Sequence, residues 1–513
     1  MRFLKNKMKK INQLKTGAIL SYVNILISCI IPMFYTPVML SILGQNEYGT
    51  YSLANSVISY LSLLSFGMAN SVVRYVTKYK CKNDHEGVER VAGLFVTIYC
   101  VITGIVIIAG VILTFLSDSF FSNGLNTGEL LKLKQLMLIM TLSTAVSFPS
   151  VTYSALVIAY ERYLFRRIIE IIGTVLPPLF NLIVLYMGYG SIGMALASLC
   201  IQIITVPIYM IYCKKELNII PKFKNMPIYL LKEIFSYTFF LFLSMIVDML
   251  YWSTDKVLIG AMLGTVAVAI YNIGGTFTSM LQNMTTAISS VFVPRIMSMV
   301  EKKRPIEEMS ELLIRIGRLQ YMIVALILSG YIVFGKVFIH FWAGDDYSQA
   351  YTIALLTMIP LAIPLIQNIA YNVIVAQNKH RFRAIMYAVI AVLNVIMTIL
   401  AIPQYGIIGA AACTAIAFVI GNGIIMNAYY WRVIKLNIPL FWRNILKLSI
   451  VPVLLILIFN YISKEICQIN TLSGLVVGAL CYTILYGIGM TFLMNDYEKN
   501  LFFGMIQKFI KWR

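Results

Sequence analysis

Long apolar blocks constrain this chain more than any other feature of its sequence. Of its 513 residues, 60% are apolar and only 12% are charged, whereas a soluble domain has about 45–50% apolar and about 25% charged residues. A helix needs about 20 apolar residues to cross a bilayer. Fourteen blocks meet this requirement, at residues 16–43, 50–77, 91–116, 133–159, 167–188, 190–213, 234–262, 266–300, 312–339, 350–377, 383–403, 405–431, 444–463 and 471–494. We therefore expect an all-α integral membrane protein with about 14 transmembrane helices, and neither a soluble enzyme nor a disordered chain.

The lysines and arginines test this topology. If both termini lie on one side, that side carries 36 of the 41 basic residues, and the opposite side carries Lys132, Lys134, Lys256, Lys336 and Lys464. The positive-inside rule then predicts that both termini are cytoplasmic. The net charge of +20 is thus a topology signal that also favours anionic membrane lipids. We expect no nucleic-acid partner.

Short motifs recur at an offset of 215 to 220 residues. The matching pairs are Leu43-Gly44 with Leu263-Gly264, Pro149 with Pro364, Ala159–Arg166 with Ala376–Arg383, and Tyr189–Ala195 with Tyr405–Ala411. Because the offset spans an even number of helices, helices 1–6 and 7–12 are predicted to be two copies in one orientation. An axis along the membrane normal would relate them, with the substrate site between them.

This repeat predicts the domain organisation. The expected parts are a basic cytoplasmic arm (1–15), an N-lobe of helices 1–6 (16–213), a cytoplasmic linker (214–233), a C-lobe of helices 7–12 (234–431), an added helix pair (444–494) and an amphipathic cytoplasmic tail (495–513).

Charges within or beside the apolar blocks are the first candidate site residues, because burying a charge in a membrane is costly. Asp248 and Asp255 are seven residues apart in helix 7, which would place them on one helix face, and Lys256 follows directly. Arg74 and Arg295 occupy equivalent positions near the inner ends of helices 2 and 8, where a pair of arginines suits a phosphate. The alternatives are an outer-loop pair for Asp255 and Lys256 and snorkelling of both arginines to head groups.

Uncharged polar residues form a second group of candidates. Helices 1, 2 and 10 contain several side chains that suit a sugar, including Asn24, Asn70, Gln367 and Asn368. Such groups also serve helix–helix packing in membranes, so both interpretations stay open.

Motifs for ATP hydrolysis or enzymatic catalysis are missing. The sequence has no G-x-x-x-x-G-K-[ST], H-E-x-x-H or G-x-S-x-G motif. Its eight cysteines are scattered without a CxxC, and its three histidines are far apart. We expect a secondary transporter with no catalytic residue, metal or cofactor, and not an enzyme.

Two stretches carry a resemblance to a known family. They are Pro37-Val38-Met39-Leu40-Ser41-Ile42-Leu43-Gly44 followed by Glu47-Tyr48-Gly49-Thr50-Tyr51, and Thr254-Asp255-Lys256-Val257-Leu258-Ile259-Gly260 followed by Tyr271. With two six-helix lobes and an extra pair, the chain resembles the lipid-linked oligosaccharide flippases of the multidrug/oligosaccharidyl-lipid/polysaccharide (MOP) exporter superfamily, which serve O-antigen or capsule assembly.

The resemblance implies a function in the bacterial plasma membrane. An undecaprenyl-pyrophosphate-linked repeat unit would move from the inner to the outer leaflet by alternating access, through a V-shaped cavity whose cationic groups bind the pyrophosphate. Arg74 and Arg295 are the residues that position offers for this role. The polysaccharide polymerase and other assembly proteins would be partners, and Asp248 or Asp255 would couple transport to H⁺ or Na⁺.

Three kinds of alternative remain beside this interpretation, and the first is another transporter of the same fold, either a drug antiporter or a lipid II flippase. Related drug antiporters often carry a carboxylate in helix 1, and related lipid II flippases have more arginines there, whereas residues 16–43 contain no charge. A membrane polysaccharide polymerase would need a large outer loop with arginines, but the longest outer loop, residues 117–132, contains none. A scaffold that transports nothing is the third.

Overall fold

A computed structural model describes residues 13–379, 381–465 and 471–501, and within these residues the chain is helical with no β-strand. The chain divides into two compact units, the first ending at Asn272 and the second beginning at Ile273. Helices α1–α8 belong to the first unit: Gln13–Ser59, Ala69–Cys81, His85–Phe121, Thr127–Ala159, Tyr163–Tyr186, Gly190–Glu216, Leu230–Trp252 and Thr254–Leu263. Helix α9, Thr265–Ser290, contains the boundary.

The second unit continues with eight more helices and a π-helix. Helices α10–α17 are Val293–Glu301, Ile306–Ala343, Ala350–Ile366, Asn368–Ala376, Arg381–Phe418, Asn427–Arg432, Ile438–Glu465 and Leu472–Leu493. The π-helix, Val419–Met426, lies between α14 and α15. Short 3₁₀ turns at Tyr60–Ser65 and Asp345–Tyr347 complete the described elements.

Eleven segments of the described residues are long and apolar enough to cross a membrane, so the chain is a multi-pass membrane protein. Two of them, Leu20–Cys81 with 62 residues and Arg381–Arg432 with 52, are too long for one crossing, since 62 helical residues span about 93 Å against a hydrocarbon core of about 30 Å. Each contains a non-helical glycine, Gly44 or Gly406, that divides it. With the more polar α9–α10 pair, the described residues accommodate the predicted fourteen passes.

Backbone geometry supports the internal repeat. Gly44 has φ 72° and ψ 174°, and its predicted counterpart Gly264 has φ 88° and ψ −176°. These are left-handed extended conformations that only glycine adopts cheaply. Glu161 and Asn378, matched by the repeat, both have φ 57°. The motif pairs therefore adopt equivalent turns, while the lobe boundaries stay predictions.

The connection between α6 and α7 packs against the start of α3. The Lys222 N–H donates to the Glu89 carbonyl at 3.0 Å, and Lys222 Nζ lies 2.9 Å from Glu89 Oε2. The side-chain hydrogen bond from Lys222 Nζ to the Glu89 carboxylate raises the pKa of Lys222 above its ordinary value. Gly93 permits the close approach, because a Cβ there would lie 1.9 Å from the Lys222 carbonyl oxygen. The predicted inter-lobe linker is thus docked on the first unit.

In the second unit, α16 and α17 pack against α11. Phe334 of α11, Leu448 of α16 and Tyr482 of α17 share one buried cluster. Arg318 of α11 forms a buried ion pair with Glu498, with its Nε 2.6 Å from Oε1 and its Nη2 2.8 Å from Oε2. This pair fixes the start of the predicted tail, while residues 502–513 and the arm residues 1–12 lie outside the described part of the chain.

Candidate functional site

The predicted helix 7 is two helices, and this separates its two aspartates. Ser253, with φ −113° and ψ −29°, lies between α7 and α8. Asp248 on α7 is exposed, whereas Asp255 on α8 is 1% exposed. The two aspartates do not share one continuous helix, because α7 ends at Trp252 and α8 begins at Thr254. Asp255 and Asp248 therefore lie in different environments.

Asp255 and Lys256 belong to a hydrogen-bonded network rather than to an exposed loop. Tyr271 Oη donates to Asp255 Oδ2 at 2.6 Å. Lys256 Nζ donates to Asn272 Oδ1 at 2.6 Å, and Asn272 Nδ2 donates to Tyr48 Oη at 2.6 Å. These five residues, which we call the latch, connect α1 with α8 and α9. Sequence patterns identified the two charges but missed Tyr48 and Asn272, although Asn272 directly follows the repeat residue Tyr271.

Close backbone packing surrounds the latch. Tyr60 Oη and Thr254 Oγ1 are 2.6 Å apart, and a Cβ on Gly49 would lie 1.9 Å from the Thr265 carbonyl oxygen. A side chain at position 49 would therefore force α1 away from the start of α9. The contact between these helices depends on this glycine.

Two glutamates join neighbouring turns beside the part of α1 that follows Gly44. Glu47 accepts from the Ser191 N–H at 2.7 Å and pairs with Lys132 Nζ at 2.9 Å. Glu129 accepts from Thr265 Oγ1 at 2.8 Å. The charge pattern predicts that these turns face the outside. Neither glutamate was a sequence candidate, although Glu47 lies within the stretch that carried the family resemblance.

The other candidates of the first unit are dispersed. Arg74 is exposed, and its Cζ lies 5.1 Å from the centroid of the Tyr237 ring. Asn24 accepts a hydrogen bond from Thr174 at 3.0 Å, which favours helix packing as its role. Asn70 is exposed. The structure does not bring these three residues into the latch.

In the second unit, Gln367 belongs to a buried polar network centred on Asn427. Gln367 Nε2 and Trp442 Nε1 donate to Asn427 Oδ1 at 2.7 and 2.8 Å, and Asn427 Nδ2 donates to the Asn422 carbonyl at 2.7 Å. The neighbouring Asn368 has a buried Nδ2 with no hydrogen-bond acceptor among the described residues.

Arg295 is exposed on α10. It belongs to the second unit and Arg74 to the first, so the joint role of the two arginines stays a prediction.

A cavity of about 680 Å³ in the second unit was not anticipated from the sequence. Its wall includes two acidic residues of α11, Glu307 and Glu311, and two basic residues after the π-helix, Arg432 and Lys435. Charges of both signs make this cavity unsuited to a purely anionic ligand.

Comparison with known proteins identifies the family of this chain. Residues 14–300 match the family model described as polysaccharide biosynthesis protein. The chain belongs to this family. No curated protein matches the chain.

Solved structures show the fold of this family member. Lipid II flippase MurJ, in an inward closed conformation, aligns with a TM-score of 0.72 and 17% identity over 93% of this chain and 100% of its own. An inward-facing multidrug resistance MATE family transporter of the MOP superfamily has a TM-score of 0.61 and 14% identity over 83% and 99%. A Vibrio cholerae MATE transporter has 0.58 and 15% over the same shares. The chain thus has the fold of MOP superfamily transporters.

Proposed function

We propose that the protein is a flippase for a surface-polysaccharide precursor in the bacterial plasma membrane. It moves an undecaprenyl-pyrophosphate-linked oligosaccharide repeat unit from the inner to the outer leaflet and delivers it to the polymerase and other assembly proteins. The family match over residues 14–300 carries the proposal, and the MOP fold supports it. The bias of basic residues supports an orientation with both termini cytoplasmic.

The latch suits a step of alternating access. Its hydrogen bonds join α8 to α9 and α9 to α1, and one such bond contributes a net free energy of only about 0.5–1.5 kcal/mol. A few bonds of this kind hold a closed state that substrate or ion binding can open, since a ligand shifts an equilibrium by its differential affinity for the two states. We propose that the latch closes the outer end of the pathway.

Substrate contacts and coupling complete the proposal. Arg74, Arg295, Asn24, Asn70, Gln367 and Asn368 remain proposed cavity residues, and the two six-helix lobes remain the proposed moving parts. Asp255 within the latch, or the exposed Asp248, is the proposed site for H⁺ or Na⁺, because a carboxylate that changes charge alters the hydrogen bonds that it accepts.

Deletion of the gene tests the function. We expect single lipid-linked repeat units to accumulate in the inner leaflet and surface polysaccharide to disappear, measured by lipid extraction and polysaccharide staining. Accumulation of the peptidoglycan precursor would instead identify a lipid II flippase. Loss of drug efflux with normal polysaccharide would identify a multidrug antiporter.

Complementation tests the latch. Asn272→Ala removes the link between Lys256 and Tyr48, so we expect it to restore little surface polysaccharide while still inserting in the membrane. Tyr405→Phe, a change at a side chain that is 68% exposed, is the control and should complement fully. Full complementation by Asn272→Ala at equal abundance would show that the latch is dispensable.

A further inference from the structure

Arg383 lies among tyrosine rings near the start of α14. Its Cζ is 4.0 Å from the ring centroid of Tyr371 on α13 and 4.4 Å from that of Tyr387 on α14. Tyr430 on α15, 4% exposed, is close enough to interact with the guanidinium electrostatically. We call these four residues the arginine cage. It gathers the ends of three helices around one half-buried cation.

The cage contains no counter-ion. No carboxylate among the described residues lies within ion-pair distance of Arg383, whereas the buried Arg318 pairs with Glu498. Leaving a cation in a poorly solvated place without a partner is costly. Ring faces offset part of this cost through cation–π attraction, but the positive charge itself remains.

The contacts with the rings leave hydrogen-bond donors available. A guanidinium has five N–H donors, all in its plane, and it accepts no hydrogen bond. A cation–π contact occupies the face of the group, and the Tyr387 hydroxyl is close enough to accept from one N–H, so the remaining in-plane donors are suited to two parallel hydrogen bonds with an anion. Asn368, one helical turn before Tyr371, adds a buried Nδ2 that lacks an acceptor among the described residues. The region therefore has a surplus of donors, which a ligand with several acceptor oxygens would satisfy.

The polar network holds one wall of the cage in place. Tyr387 Oη donates to Asn422 Oδ1, and the Asn422 carbonyl accepts from Asn427 Nδ2 at 2.7 Å. Asn422 lies in the π-helix Val419–Met426. Since π-helical turns occur frequently at functional sites, the position of this element beside the cage is a second indication of a ligand.

Basic residues flank the cage on two connecting turns. Tyr429 Oη donates to the Lys379 carbonyl at 3.2 Å and thereby joins the two turns. Exposed Arg381 lies on the first turn, and exposed Arg432 and Lys435, which also line the cavity with Glu307 and Glu311, lie on the second. Exposed cations beside a membrane helix attract anionic lipid by about 1 kcal/mol each. The expected ligand is therefore an anion that belongs to a lipid.

We propose that the arginine cage binds the phosphate group of a membrane lipid, with Arg383 as the bidentate donor. Two sources share this chemistry, namely the phosphodiester of an anionic phospholipid and the pyrophosphate of a polyprenyl carrier. The second source rests on the proposed function, while the first does not.

Lipid titration of the purified full-length protein tests the site. Native mass spectrometry in detergent would follow binding of phosphatidylglycerol, phosphatidylcholine and undecaprenyl pyrophosphate. Removing a charge-assisted pair of hydrogen bonds in Arg383→Ala should weaken binding of the preferred anionic lipid roughly tenfold or more. Arg383→Lys should recover part of the affinity, because lysine keeps the charge but lacks the planar fork.

The repeat offers a matched control. Arg166 occupies the equivalent position in the first unit and is paired with Glu170 at 2.7 Å, so Arg166→Ala should leave lipid binding unchanged. Weaker binding of phosphatidylglycerol alone would assign the site to a structural phospholipid, and weaker binding of undecaprenyl pyrophosphate would assign it to the carrier.

Wild-type affinity of Arg383→Ala for both lipids would overturn the proposal. If thermal unfolding shows that Arg383→Ala does not fold, Arg383→Lys tests the proposal instead. Wild-type lipid affinity in Arg383→Lys would contradict bidentate binding by Arg383. Lipid titration measures binding in vitro, whereas gene deletion measures the proposed function in cells. A negative result in the titration would therefore contradict the lipid site without contradicting the proposed function.

Discussion

Two turns of the molecule have the same backbone conformation, but the arginines that follow them, Arg166 and Arg383, have different partners. In the turn between α4 and α5, Glu161 has φ 57° and its N–H donates to the Ile158 carbonyl at 2.8 Å. In the turn between α13 and α14, Asn378 has φ 57° and its N–H donates to the Val375 carbonyl at 3.0 Å. Both copies thus re-use one local scaffold.

Aromatic packing behind the two turns is conserved between the copies as well. Phe165 stacks on Tyr212 with ring centroids 3.6 Å apart, and Phe382 stacks on Tyr429 at 4.3 Å. Both pairs are nearly parallel, with interplanar angles of 6° and 12°. The shared scaffold therefore includes a stacked aromatic pair, which joins α5 to α6 in the first copy and α14 to α15 in the second.

The difference lies four residues after the equivalent arginines. Arg166 meets Glu170 on its own helix, with Nε 2.7 Å from Oε1, whereas Arg383 meets the ring of Tyr387 at 4.4 Å. In the first copy Glu170 pairs with both Arg166 and Arg167, whereas no carboxylate among the described residues pairs with Arg383 in the second copy. The side chain at this position therefore decides whether the arginine has a carboxylate partner on its own helix.

A one-residue insertion accompanies this difference. Tyr189 and Tyr405 are 216 residues apart, whereas Tyr212 and Tyr429 are 217 apart. The π-helix Val419–Met426 lies between the two tyrosines of the second copy, and a π-helical turn is the ordinary way for a helix to hold an extra residue. The insertion keeps Tyr429 in register while placing Asn422 where it contacts Tyr387.

The largest expected effect comes from the polar network that exists in the second copy. Asn427→Ala removes the partner of Gln367, Trp442 and the Asn422 carbonyl, and leaving buried polar groups unpaired should lower the free energy of unfolding by roughly 2–4 kcal/mol. Thermal unfolding in detergent measures it. The control is Met210→Ala at the equivalent position of the first copy, which is 43% exposed. Equal losses in both variants would contradict a special role for the network.

Substitution of the equivalent glycines Gly190 and Gly406 should have a smaller effect on stability and also compares the two copies. Gly190 has φ 56° and Gly406 φ 58°, so alanine should cost about 1–2 kcal/mol of stability at either position. At Gly190 a Cβ would also lie 2.5 Å from Glu47 Oε1, while at Gly406 nothing lies within 4 Å. We expect Gly190→Ala to lower the unfolding temperature more than Gly406→Ala. The reverse order would show that the Glu47 contact does not constrain this turn.

Sequence patterns predicted the all-helical membrane fold, whereas the contacts of the candidate site residues could not be predicted from them. Apolar length and glycine positions specify the helical passes, because both are local properties of the chain. The roles of Asp255 and Arg383 depend on which side chains from distant helices lie beside them. Asp255 is a candidate from its charge, but its bond to Tyr271 and the break at Ser253 arise from folding. Arg383 is a repeat match, and only the structure shows that no carboxylate of the described residues pairs with it.

Transferring the carboxylate of the first copy to the second tests the difference directly. Tyr387→Glu places an acid four residues after Arg383, where an ion pair within the helix should compete with a lipid phosphate. We expect roughly tenfold weaker binding of the preferred anionic lipid, measured by the same titration. Tyr387→Phe keeps the ring and should retain more of the affinity than Tyr387→Glu. Unchanged binding in Tyr387→Glu would indicate that Arg383 does not contact the lipid.

The reverse exchange should have the smallest effect. Glu170→Tyr removes the carboxylate that Arg166 and Arg167 share and supplies one ring, and an exposed cation–π contact contributes about 0.5–1 kcal/mol. The positions equivalent to Tyr371 and Tyr430 are Ser154 and Cys213, so the other two rings of the cage stay missing. Anionic lipid should therefore bind the first unit only about two- to fivefold more tightly than in the wild type.

The gain in lipid affinity caused by Glu170→Tyr is measured in a protein that also carries Arg383→Ala. This background removes the contribution of the arginine cage in the second copy. Glu170→Gln, which removes the charge without adding a ring, shows how much of the gain comes from releasing the arginine alone. A gain as large as the loss caused by Arg383→Ala would mean that a free arginine on this turn is sufficient and that the three rings contribute nothing. A small gain would instead show that the cage depends on all of its tyrosines, each contributed by a different place in the second copy.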